Sequence, residues 1–152
     1  VRFPNNDLKQ FDMRILIING PNLNQLGHRE PEIYGSLTME QVMEQLRAEV
    51  TETELDFFQS NSEGALIDRL QQQDYNAVII NPGAYTHYSY AIADCLRNIQ
   101  KPKVEVHISN IYKREEFRRK SVTAEHCDAV LSGFGTDGYA LALQYLLRNH
   151  KV

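Results

Sequence analysis

Two ionisable side chains sit two residues apart in an otherwise apolar run, Val104-Glu105-Val106-His107-Ile108. In a strand, alternate residues share a face, so Glu105 and His107 project together while the three apolar residues project the other way. A parallel sheet covered on both sides normally presents apolar residues on both faces. The pair is therefore costly unless its members satisfy each other. A carboxylate hydrogen-bonded to an imidazole fixes the ring's tautomer and favours its protonated form. His107 reads as a general acid with Glu105 as its orienting partner; a purely structural Glu–His pair at a sheet edge is the competing reading.

The second candidate group lies in the long loop Asn19–Gly35, which carries three glycines and two prolines. Loops longer than about a dozen residues inside compact domains are usually functional or disordered. This one holds Arg29 and Tyr34. A phenol with an ordinary pKa of about 10 is a poor base at neutral pH, but a neighbouring guanidinium stabilises its phenolate. Arg29 and Tyr34 thus form a candidate base on a lid, against the simpler reading of a loop tyrosine packed down for structure. The turn Asn81-Pro-Gly-Ala-Tyr-Thr-His87 adds Asn81, which offers both donor and acceptor, and His87, which can meet a hydroxyl. Arg114, Arg118 and Arg119 follow the Glu105 strand, and the rigid donor fork of one of them could grip an anionic or hydroxylated ligand. Two of the three are expected on a solvated face with i, i+4 partners. Asp94 falls within a helix pattern and is expected to be partly exposed.

These residues need a frame. Met13–Asn19, Leu55–Gln59, Ala77–Ile80, Lys103–Ile108 and Ala129–Leu131 read as strands, and a helical segment is expected after each of the five. Thr38 with Gln41 three residues on is a capping box, and Leu37 with Val42 is placed as a hydrophobic staple. The helix so started puts Val42, Leu46 and Val50 on one face. Further helices are expected over Ser60–Gln73, with Leu66, Ile67 and Leu70 inward, over Ser89–Ile99, and over Thr136–Asn149. Strands alternating with helices imply a parallel sheet covered on both faces. At 152 residues the economical α/β solution is a flavodoxin-like three-layer sandwich with a five-stranded parallel sheet in the order 2-1-3-4-5. Ligands in such sheets sit beyond the carboxyl ends of the strands, which selects the loops after Asn19, Asn81 and His107.

Residues 1–12 show no period and read as a remnant or upstream extension outside the fold; residues 13–152 read as a single catalytic domain. A net charge of -4 argues against a nucleic-acid surface. No apolar stretch reaches the roughly 18 residues that span a bilayer, and no export leader is evident. The two cysteines, Cys95 and Cys127, read as buried free thiols of a reducing compartment, so a cytoplasmic location is expected. No Cys-x-x-Cys, His-Glu-x-x-His, Gly-x-Gly-x-x-Gly or P-loop pattern occurs, so neither metal nor cofactor is expected. A flavin carrier on this fold would need a hydroxyl-rich loop after the first strand, which here is Asn-Gly-Pro-Asn-Leu-Asn. A phospho-receiver would need acids where Asn19 and Asn81 stand. A flavodoxin-like ligand-binding module without catalysis remains the alternative.

Taken in order, the blocks Asn19-Gly-Pro-Asn-Leu-Asn24, Leu26–Gly35, Ser60-Asn-Ser-Glu-Gly64, Asn81–His87, Glu105-Val-His-Ile-Ser-Asn110 and Arg114-Glu-Glu-Phe-Arg118 closely resemble type II 3-dehydroquinate dehydratase, from Met13 to about residue 148. The resemblance implies dehydration of 3-dehydroquinate to 3-dehydroshikimate, without metal or Schiff base. By it, Tyr34 matches the base, Arg29 the lid arginine that keeps the phenol ionised, and Asn22 the residue that holds a water against the enolate oxygen. His107 matches the acid and Glu105 its partner, which makes the elimination anti. The resemblance also implies that Asn81, the amides of Ile108 and Ser109, and the Ser109 hydroxyl hold a carboxylate. His87 and Arg118 would hold ring hydroxyls, and Asp94 would enter a neighbouring subunit's site. The implied assembly is a trimer built into a dodecamer. Gln25 and Tyr88 depart from the pattern, and Lys120–His126 matches it weakly.

Overall fold

The computed structural model describes residues 13–28 and 30–150. The expected leader at 1–12 and the lid residue Arg29 lie outside the described residues, as do 151 and 152.

Five strands form one sheet in the order β2-β1-β3-β4-β5: β1 Met13–Asn19, β2 Thr53–Gln59, β3 Ala77–Asn81, β4 Lys103–His107 and β5 Ala129–Ser132. All four ladders are parallel. The strand order expected from the sequence is the one found. β1 and β3 are buried along most of their length, because helices cover both faces, and their sequences are accordingly apolar without alternation.

The helices are α1 Pro31–Tyr34, α2 Met39–Glu49, α3 Glu63–Gln71, α4 Tyr90–Arg97 and α5 Asp137–Asn149. On one face, α2 (Val42, Met43, Leu46) and α5 (Tyr139, Leu143, Leu146) pack on Ile15, Ile17, Ile79, Val104 and Val106. On the other, α3 (Leu66, Leu70) and α4 (Ile92, Leu96) pack on Leu16, Ile18, Val78 and Ile80. The alternation along each strand divides its side chains between two cores, which makes the three-layer sandwich. No described helix is long and apolar enough to cross a membrane.

Local signals account for most boundaries. The Thr38 hydroxyl accepts from the Gln41 amide while the Gln41 side chain accepts from the Thr38 amide, completing the capping box that starts α2. α3 starts at Glu63 rather than at Ser60, because the Ser62 hydroxyl caps Ala65 N–H. β2 begins at Thr53, two residues earlier than its apolar core suggests, because it pairs with β1 along its whole length. The single turn α1 inside the lid is not visible as a periodic pattern. Pro31 at its first position and Gly35 just past its end, at φ 82°, are the residues that start and stop it.

The loops leaving β1 and β3 are in direct contact. Gly20 N–H donates to Asn81 O at 2.8 Å. A Cβ at Gly20 would lie 2.3 Å from the Pro82 carbonyl oxygen, so no larger residue fits there. This contact holds the lid base and the Asn81 turn side by side at the carboxyl edge of the sheet.

Candidate active site

β4 places Glu105 and His107 on the face away from the α2–α5 core, as its alternation requires. Both are buried, and His107 Nε2 lies 2.8 Å from Glu105 Oε2. The carboxylate is met by three hydroxyls besides the imidazole. Ser121 Oγ donates to Oε2 at 2.9 Å, Thr86 Oγ1 lies 3.3 Å from the same oxygen, and Thr123 Oγ1 donates to Oε1. Burial by itself pushes the Glu105 carboxyl upward. The hydrogen bond and charge of His107 and the hydroxyl donors outweigh it, holding the group below the ordinary carboxyl value. Glu105 is thus an anion in a fully enclosed polar nest.

His107 opens on its other side into a cavity of about 150 Å³. The cavity is roofed by Asn22, Leu23, Leu26 and Tyr34 from the lid, and floored by Asn81, His107, Ile108 and Ser109 from the ends of β3 and β4. His87, Arg114 and Arg118 close its side. The rule that ligands bind beyond the carboxyl ends of parallel strands therefore selects the right edge of the sheet.

Each polar lining residue is held in place. Asn22 takes a left-handed backbone, φ 67°, and its N–H donates to Asn61 Oδ1 at 3.0 Å. Asn81 is buried; its Oδ1 accepts from Gly83 N–H at 3.1 Å and its Nδ2 donates to Tyr139 Oη at 2.9 Å. Tyr139 Oη in turn donates to Asn19 Oδ1 at 2.6 Å. His87 Nδ1 lies 2.7 Å from the Lys120 carbonyl, which fixes the tautomer with Nδ1 as donor and Nε2 as acceptor. Burial, against that hydrogen bond and with help from the nearby charge of Arg118, pushes the His87 imidazole below its ordinary value. His87 is neutral at pH 7. Arg114 Nη1 donates to Tyr34 Oη at 2.9 Å, and its guanidinium lies 5.6 Å from the centre of the Tyr34 ring.

A sequence profile of the Dehydroquinase class II family matches residues 13–147. The chain belongs to that family. A 3-dehydroquinate dehydratase from Clostridium botulinum (strain Loch Maree / Type A3) is 55% identical over 142 residues, 91% of this chain and 97% of that protein. One from Thermotoga petrophila is 53% identical over 136 residues, 88% and 94% of the two chains. Among solved structures, a type II dehydroquinase from Butyrivibrio crossotus superposes with a TM-score of 0.86 at 46% identity, covering 89% of this chain and 97% of its own. The dehydroquinase membership and the flavodoxin-like architecture that the motifs implied are thus both found.

Of the residues singled out from the sequence, Asn22, Tyr34, Asn81, His87, Ile108, Ser109, Arg118 and His107 line one cavity, and Glu105 stands behind His107. Arg29 lies outside the described residues. Asp94 does not reach its own chain's cavity: it sits exposed on α4, bonded to Arg97 at 3.1 Å. The arginine cluster requires a correction. Two of its members were expected on a solvated face, yet only Arg119 is exposed, while Arg114 and Arg118 both line the cavity. The segment is a pair of short 3-10 turns, Ile111–Lys113 and Glu116–Arg119, rather than a helix with i, i+4 faces, so helical spacing misassigns it. Sequence reasoning also missed Tyr139, which reads simply as a core residue of α5, and the three hydroxyls around Glu105.

Proposed function

We propose that this chain dehydrates 3-dehydroquinate to 3-dehydroshikimate by anti elimination through an enolate. The observation that carries the proposal is that a tyrosine hydroxyl under a guanidinium and an imidazole on a buried carboxylate line the same small cavity.

Tyr34 takes the proton from the carbon next to the ketone. Arg29, as the family pattern has it, and Arg114, by the hydrogen bond observed, supply positive charge beside the phenolate. Asn22 holds a water against the developing enolate oxygen; preorganised donors of this kind lower a barrier by several kcal/mol. His107 then gives its proton to the hydroxyl leaving from the opposite face, and the enolate electrons re-form the ketone as the carbon–oxygen bond breaks. One water leaves, and the ring gains one conjugated double bond. Each proton transfer of this type contributes typically 10²–10⁴-fold.

Binding follows from the remaining lining residues. Asn81, Ser109 and the backbone amides of Ile108 and Ser109 hold the substrate carboxylate. Neutral His87, with Nε2 as acceptor, and Arg118 meet the ring hydroxyls. Asp94 completes a neighbouring subunit's site within a trimer, itself part of a dodecamer; its exposure on α4 leaves it accessible to such a neighbour. The reaction serves aromatic biosynthesis or quinate breakdown. We place it in the cytoplasm, on the two free thiols of Cys95 and Cys127.

The test is to mix purified protein with 3-dehydroquinate and follow the ultraviolet absorbance of the conjugated enone. Growth of that band at a rate proportional to protein supports the proposal. Binding of 3-dehydroquinate with no band would leave only the ligand-binding alternative.

A further inference from the structure

We propose that Ser121, Thr123 and Thr86 act together as a hydroxyl clamp that fixes Glu105 as an anion and so positions His107 for proton delivery. The inference deepens the reading of His107 as the acid and rests on it. Ser121 and Thr123 lie in the stretch Lys120–His126, where this chain follows the family pattern weakly.

The geometry is directional. Ala124 N–H donates to Ser121 Oγ at 3.0 Å. That contact occupies a lone pair and leaves the hydroxyl proton to turn to Glu105 Oε2, 2.9 Å away. Thr123 Oγ1, fully buried, donates to Oε1. Thr86 Oγ1 stands 2.7 Å from both other hydroxyl oxygens and 3.3 Å from Oε2, closing the group. With two hydroxyl protons directed at it and His107 Nε2 at 2.8 Å, the carboxylate is an acceptor on both oxygens. Ionised Glu105 in turn requires the proton on His107 Nε2. Nδ1 is then the nitrogen left to exchange a proton with a ligand.

The clamp also joins three segments of the chain. Thr86 belongs to the turn after β3, Glu105 to β4, and Ser121 and Thr123 to the loop after the arginine turns. Val122 N–H donates to Thr86 O at 2.7 Å, and Lys120 O meets His87 Nδ1, so the loop is bolted to the β3 turn on both sides of Ser121. The clamp therefore sets His107 and His87 relative to each other. Among the described residues, His107 and Cys127 are the titratable groups that interact with Glu105. Burial, with the negative charge of Glu105, pushes the Cys127 thiol up to about 12, so it stays neutral and does not compete for the role.

The experiment compares Ser121→Ala, Thr123→Val and their double variant with the conservative Thr123→Ser, using kcat and KM across pH and the ring-nitrogen NMR shifts of His107. The clamp predicts that each hydroxyl deletion lowers kcat about tenfold to a hundredfold, the worth of a hydrogen bond to a charged group. KM should move far less. The acid limb of the kcat profile should shift to higher pH, because Glu105 loses donors that favour its ionised form. Thr123→Ser should restore near wild-type values. In the wild-type protein the NMR shifts should show a protonated Nε2 through neutral pH, and in the double variant a tautomer mixture. Unchanged NMR shifts, an unmoved acid limb, or equal loss in Thr123→Ser and Thr123→Val would overturn the clamp. Wild-type protein without dehydratase activity would overturn the reaction assigned above instead, and the NMR result would still decide the clamp.

Discussion

Tyr139→Phe removes one oxygen from the interior and should destabilise the protein more than any surface substitution. Tyr139 is fully buried on α5, and its hydroxyl donates to Asn19 Oδ1 at 2.6 Å while accepting from Asn81 Nδ2 at 2.9 Å. Burial raises the phenol well above its ordinary value of 10, so it remains a neutral donor throughout the working range. The two asparagines are themselves 2% and 3% exposed, so little of either side chain meets water. Nor can they easily turn to each other: Asn19 Nδ2 lies against Met39 Sδ at 3.5 Å, and Asn81 Oδ1 is engaged by Gly83 N–H. A buried polar group that loses its partner costs about 1–3 kcal/mol, and two lose theirs here, so we expect a loss of about 2–6 kcal/mol. In urea, with a mid-range slope of about 2 kcal/mol per molar, the midpoint should fall by about 1–3 M at unchanged slope. KM for 3-dehydroquinate should rise as well, because the released Asn81 amide forms part of the cavity floor. A midpoint within about 0.2 M of wild type, together with an unchanged KM, would show that the Asn19–Tyr139–Asn81 chain carries neither stability nor binding.

Three further outcomes follow from the same geometry. Tyr34→Phe should lower kcat by roughly 10²–10⁴-fold, as expected for loss of a general base, while calorimetry shows substrate binding largely retained; near wild-type turnover would remove Tyr34 from its role. Asp94→Ala deletes only an exposed pair with Arg97, worth about 0–1 kcal/mol. Folding stability should therefore hardly change while KM rises through the neighbouring site, and fully active monomers by sedimentation would contradict that. Glu105 titrates below the ordinary carboxyl value of 4.5 when folded. Its contribution is thus present above that value and lost as pH falls through the folded one. The urea midpoint should drop on acidification below about pH 4.5, and Glu105→Gln should flatten that limb; equal acid sensitivity in both proteins would assign it to other carboxylates.

Much of the frame was legible because its signals are local. The apolar runs of β1 and β3 and the Thr38–Gln41 box are each encoded within a few residues. The strand order followed from the general rule for doubly wound sheets. The site was legible to the extent that its residues sit just after strands: Asn22, Asn81, Ile108 and Ser109 are placed by where β1, β3 and β4 end. What stayed hidden depends on contacts between distant segments. Glu105 meets Thr86, Ser121 and Thr123 across 16 to 19 positions, through loops with no periodic pattern. Tyr139 reaches Asn19 across 120 positions, and from the sequence its ring alone accounts for its place in the α5 stripe. Arg114 could not be told from Arg118 and Arg119, because the chain there turns in 3-10 geometry and the helical spacing rule does not apply.

The central claim is that base and acid work from opposite faces of one bound ring, and isotopic labelling tests it most directly. 3-Dehydroquinate carrying deuterium at only one of the two hydrogens beside the ketone is converted by the wild-type protein, and the product is weighed by mass spectrometry. Tyr34 on the lid and His107 on the tip of β4 predict that deuterium is lost when it lies anti to the departing hydroxyl and kept when it lies syn. Loss of the syn label, or a product that has scrambled both, would contradict the account.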